Sequence, residues 1–155
     1  MTSLRRLRDD RGQLSIMVLG LTVIALTLII GGLAVTSVQI SRMKLLDAAD
    51  SAALEATDEG TERIYTSGLG ETLPVTDAVV QRSAADHLAS RERPHGIESW
   101  AVAEGTGSPD GQTAVVRLQG EADLPLIGGL LESLGGSVTV TVESRARAGV
   151  VEEVP

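Results

Sequence analysis

From Leu14 to Ile40 the chain runs for 27 residues without one charged side chain. An α-helix rises about 1.5 Å per residue and the hydrocarbon core of a bilayer is about 30 Å thick, so roughly 20 apolar residues suffice to cross it. A secretory signal has a shorter apolar centre of about 7 to 15 residues, followed by a small-residue cleavage site. Here the run is longer, and Arg42 and Lys44 close it as the flank of a stop-transfer segment would. A buried core helix would need cover on all sides, and the 115 residues after Ile40 are too few to wrap a uniformly apolar rod of this length. The expectation is a single membrane-spanning helix.

Charge gives the orientation. Arg5, Arg6, Arg8 and Arg11 precede the run, whereas only Arg42 and Lys44 follow it closely, a bias that puts the N-terminus in the cytoplasm. From Ser41 onward 9 basic residues face 19 acidic ones, a net of −10, so the acidic part is expected outside. The expected divisions are a basic cytoplasmic N-terminus (1–12), a transmembrane helix (13–41), an extracytoplasmic domain (42–150) and a tail (151–155).

The same charge balance argues against nucleic acid as a partner, because that binding depends on neutralising phosphates with Lys and Arg. Cysteine is absent, which excludes disulfide frameworks, thiolate metal sites and thiol nucleophiles.

Helical periodicity continues past the span. Leu45, Ala48, Ala49, Ala52, Ala53 and Ala56 fall on one stripe. So small a face buries little area per residue and suits close packing, either against a helix of another subunit or against the protein's own sheet. Within the span, Gly32 and Thr36 have the small-xxx-small spacing that lets helix backbones approach. The candidate packing interface is therefore Gly32, Thr36, Leu45, Ala48, Ala49, Ala52, Ala53 and Ala56. Gly31 and Gly32 are the expected hinge, Gly60 the expected end of the helix, and Ser67–Gly70 a loop.

A second helix is expected from Thr76, a good N-cap, with Asp77 in the first turn and Val75 and Val80 at the staple positions; Arg91–Pro94 ends it. Strands follow at Ile97–Glu104 and Thr113–Glu121, around the turn sequence Ser108-Pro109-Asp110-Gly111. An irregular stretch, Leu124–Gly136, leads to the clearest strand. There Val138, Val140, Val142, Ser144 and Ala146 alternate with Thr139, Thr141, Glu143, Arg145 and Arg147, a period of two with the first set inward. The fold class is α+β, with a short antiparallel sheet.

Catalytic chemistry finds little to work with. His87 and His95 have no metal-motif spacing and read as surface or loop residues. Gly105–Gly111 has the glycines of a phosphate loop, but Pro109 removes an amide donor where one is needed, so a hairpin turn is the better reading. Asp47 and Asp50 offer carboxylates to a cation only in the weakest sense, and Trp100 reads as core packing. No enzyme activity, cofactor or bound metal is expected.

Asp10-Arg11-Gly12-Gln13 before the apolar run, and Arg42-Met43-Lys44-Leu45-Leu46-Asp47-Ala48-Ala49-Asp50-Ser51-Ala52-Ala53-Leu54-Glu55-Ala56 after it, resemble the TadE/TadG-like family of Flp (tight adherence) pilus assembly proteins. The Val-Thr-Val-Thr-Val strand and the Ser-Arg-Ala-Arg-Ala that follows resemble the end of its short TadE-like members. The resemblance implies a pilin-like architecture and a structural or accessory role, minor-pilin- or pseudopilin-like, in a type IVb pilus or secretion apparatus. It further implies other pilus subunits as partners, homo- or hetero-oligomeric, with Gly12 as a prepilin-type cleavage position. Met17 stands where processed pilins usually carry Glu, and the outer part is too short for the large adhesion-type domain of TadG-like proteins. The rival expectation is a membrane-anchored binding or sensor module.

Overall fold

The computed structural model of the chain describes residues 10–67, 75–125, 127–133 and 137–147. The basic residues before Asp10, the expected loop except for Ser67, which is helical, and the C-terminal tail lie outside these.

The apolar run and the alanine stripe belong to one helix, α1 (Asp10–Ser67), 58 residues long. Gly31 and Gly32 do not break it. A helical glycine costs about 1 kcal/mol, but unlike proline it keeps its amide donor. The Thr36 hydroxyl adds a bond to the Gly32 carbonyl (2.9 Å). Nor does the helix stop at Gly60, which continues with helical backbone for seven more residues. A C-terminal glycine ends a helix by adopting the left-handed conformation, and composition alone does not dictate that it will.

The second helix, α2 (Asp77–Ser90), begins after Thr76, whose extended backbone fits the N-cap although its hydroxyl makes no capping bond. Val75 and Val80 are both buried, as staple residues should be. Three antiparallel strands follow: β1 (Ile97–Val102), β2 (Thr113–Ala122) and β3 (Thr139–Arg147), in spatial order β1-β2-β3. The stretch between β2 and β3 is not wholly irregular, since it contains the short helix α3 (Gly128–Ser133).

The alternation read in the last strand is present. Val142 and Ala146 are buried, Val140 and Ser144 half-buried, and Thr139, Thr141, Arg145 and Arg147 exposed; Glu143, expected outward, is half-buried against Arg117 and Arg145, and Val138 lies just before the strand. Register aligns the core face in rows: Val102, Leu118 and Val142 form one, and Trp100, Gly120 and Val140 the next. α1 and α2 cover this face. The core is one cluster of small and branched side chains, from Leu45 and the alanines of α1 through Val80, Ala84 and Leu88 of α2 to Val116 and Leu118 of β2.

Between the strands, Asp110 organises the turn. Its carboxylate accepts from the backbone amides of Gln112 (2.9 Å) and Thr113 (2.6 Å) and from the Thr113 hydroxyl (2.8 Å), while Gly111 takes a φ of 71°. Those bonds hold the Asp110 carboxyl below its ordinary value.

Candidate functional site

Alanine at successive positions of α1 lets the helix lie close upon the sheet. Ala49, Ala52, Ala53 and Ala56 are fully buried, with Leu45 1% and Ala48 6% exposed. The sheet is equally pared down below Leu45. A Cβ built on Gly120 would stand 2.9 Å from the Ser99 carbonyl oxygen and 3.5 Å from Leu45 Cδ1. Only glycine leaves the depression between Trp100 and Val140 that Leu45 enters.

This corrects one part of the expected interface. Leu45, Ala48, Ala49, Ala52, Ala53 and Ala56 form a packing face, but the chain's own sheet and α2 occupy it, so these six side chains are not offered to another subunit. Periodicity shows that a face is buried and is silent about which chain buries it. Gly32 and Thr36 are exposed, and a Cβ at Gly32 would meet nothing within 4 Å.

A second line of residues runs down the opposite side of α1. Gly32, Thr36, Met43, Asp47, Asp50 and Leu54, separated by four, seven, four, three and four, share one side of the helix and are all exposed. Met43 is 65% and Leu54 59% exposed, large values for apolar side chains beside a packed domain. The pattern missed in the sequence is therefore the sparser stripe, whose interruption by Asp47 and Asp50 hides it beside the alanine one.

Hydrogen bonds clamp the domain to the helix. Ser37 Oγ donates to the Asp123 carbonyl (2.8 Å), Ser41 Oγ to the Gly96 carbonyl (2.6 Å) and Lys44 Nζ to the His95 carbonyl (2.6 Å). The ends of β1 and β2 are thereby fixed beside the outer end of the apolar run. His95 is exposed in its loop. His87, by contrast, is not a surface residue: it is 4% exposed, between α2 and α1, with Nδ1 2.5 Å from Glu55 Oε2. Its Nε2 is buried without a partner. That arrangement ties α2 to α1, and among the described residues no group of three or more His, Asp and Glu is placed to hold an ion.

The far face of the sheet is polar. Glu143 receives Arg117 Nε (2.5 Å) and the Arg145 guanidinium (2.7 Å), and these bonds keep its carboxyl below the ordinary range. Beside them a cleft of about 290 Å³ is lined by Gly105–Pro109, Asp77, Arg117 and Arg145. Two of its amides are already engaged within the protein. Gly107 exchanges two backbone bonds with Val115, and the Ser108 amide donates to Asp77 Oδ1 (2.6 Å). The glycines serve a loop pinned to α2.

No curated protein and no solved structure matches the chain. Residues 12–59, the part of α1 that carries both the apolar run and the alanine stripe, match the sequence model of the Tad family, the Flp pilus-assembly TadE/G-like proteins.

Proposed function

We propose that the chain is a structural or accessory membrane subunit, minor-pilin- or pseudopilin-like, of a Tad/Flp type IVb pilus assembly or secretion system. In this reading the N-terminus is cytoplasmic, α1 crosses the membrane once and the acidic domain stands outside. One observation supports it above the others: the family match falls on α1 alone, and α1 has one side committed to its own sheet and the other exposed from Gly32 to Leu54. A helix so divided serves its own fold and has a face left for lateral packing with other pilus subunits. Small residues at Gly32 and Thr36 permit close approach where the helix leaves the bilayer, and Met43 and Leu54 add apolar contacts above it.

The absence of native cysteine makes the test clean. Single cysteines at Thr36, Met43 and Leu54 should crosslink to other pilus subunits in cells, while one at Ala49, buried against the sheet, should not. Efficient crosslinking at Ala49 with none at the other three would reject the assignment of faces. Normal piliation in a strain lacking the protein would reject the role. Gly12, in the first turn of α1, is the position a prepilin-type peptidase would use; the mass of the native N-terminus reports whether it does.

A further inference from the structure

We propose that the β2–β3 connection, through Ile127 and Leu130, is a second membrane contact that seats the outer domain on the bilayer from which α1 emerges. The proposal rests on α1 spanning the membrane.

Depth along α1 is the first argument. A span of roughly 20 residues beginning at Leu14 ends near Leu33, and the headgroup layer extends about 5 to 8 Å beyond. Ser37 lies one turn past Leu33, about 6 Å further along the axis. Its bond to the Asp123 carbonyl therefore puts the start of the β2–β3 connection within the headgroup layer. Exposure along the helix carries the argument deeper. Val38, Ser37, Ala34 and Ile30 are half-buried, on the side of α1 that faces the core, whereas Leu33, Val35 and Thr36 are exposed. The core-facing side of α1 is thus partly covered for two turns below Ser37, beyond the bond to Asp123.

Composition is the second argument. Leu124 to Leu131 carries no charge in a domain that is otherwise strongly acidic. Leu124 is buried and anchors the segment through its carbonyl, which accepts from the Gly128 amide (2.7 Å). Ile127 is half-buried, and Leu130, at 64% exposure, is as open as the side chains of the span itself. An apolar group held at this level sits where interfacial helices bury their apolar faces, about 5 to 10 Å into the boundary between headgroups and acyl chains. Asp123 and Glu132 flank the patch and stay at headgroup level.

The full chain, with a single cysteine at Leu130 carrying a nitrobenzoxadiazole fluorophore, is reconstituted into phosphatidylcholine and phosphatidylglycerol vesicles. Nitroxide-labelled lipids then quench from either the headgroup border or mid-chain. Labels at Val23 and Pro109 mark the span and the far loop. Loss of emission at Leu130, stronger with the shallow nitroxide than the deep one, with deep quenching at Val23 and none at Pro109, is the expected result. Quenching at Val23 with Leu130 behaving like Pro109 would overturn the proposal and leave the span intact. No quenching at Val23 would overturn the span and, with it, the seat.

Discussion

A methyl group is the largest side chain that four consecutive contact positions of α1 tolerate. Ala49, Ala52, Ala53 and Ala56 have no exposure, so a longer side chain has nowhere to go except into the sheet. Overpacking of this kind costs about 1 to 3 kcal/mol. Ala52→Leu should lower the urea midpoint of the full chain in micelles accordingly, whereas Leu54→Ala, on the opposite side, should leave it within about 0.5 kcal/mol. Equal midpoints would contradict the packing of α1 on the sheet. Glu143 acts through charge rather than volume. Its carboxyl is held below the ordinary value by Arg117 and Arg145, so its contribution is complete above that value and disappears as pH falls through the depressed one. Glu143→Gln should therefore remove part of the acid dependence of the urea midpoint while leaving its neutral-pH trend unchanged. A variant with the same acid slope as the parent would show that the two guanidinium contacts do not persist in solution.

Among the elements, β3 makes the sharpest prediction. Val142 is 5% exposed and Thr141 is open to water on the other face. Val142→Asp places a carboxylate among Leu118 and the helix side chains and should cost about 3 kcal/mol or more, while Thr141→Asp should cost no more than about 1 kcal/mol. Similar melting temperatures would mean a strand shifted by one residue. This strand was readable in advance because alternation is a property of neighbouring residues alone, and the apolar run and alanine stripe were readable for the same reason. What escaped was set by distant parts of the chain. His87 is buried because α1 presents Glu55 across from it, 32 residues away. Which partner covers the alanines depends on the sheet folding back upon them, so the stripe read as an interface for another subunit, with the chain's own sheet as the alternative. Gly60 and the stretch containing α3 were misread locally, since glycine weakens a helix without forbidding one. Of the candidate site, Gly32 and Thr36 were named in advance, whereas Met43 and Leu54 emerged only when the inner face was assigned.

For the whole molecule the testable quantity is orientation. Four arginines before the run and an acidic remainder favour a cytoplasmic N-terminus. A periplasm-active reporter fused after Pro155 should be active, and a reporter that works only in the cytoplasm should be silent at the same position. The reverse pattern would remove the pilus-subunit reading, because the outer domain would stand on the wrong side. A mechanical consequence follows from the continuity of α1. Its 58 residues make a rod about 87 Å long, and the sheet is tied to it at Ser37, Ser41 and Lys44 rather than hung from a linker. Membrane helices lean by about 20° on average; with the pivot midway along a span of Leu14–Leu33, about 65 Å of α1 lies beyond it, and that lean carries its far end sideways by about 22 Å. In the proposed orientation the chain is a lever with its fulcrum in the lipid: a neighbour pressing on the buried arm, or a change in bilayer thickness, moves the outer domain bodily with the helix.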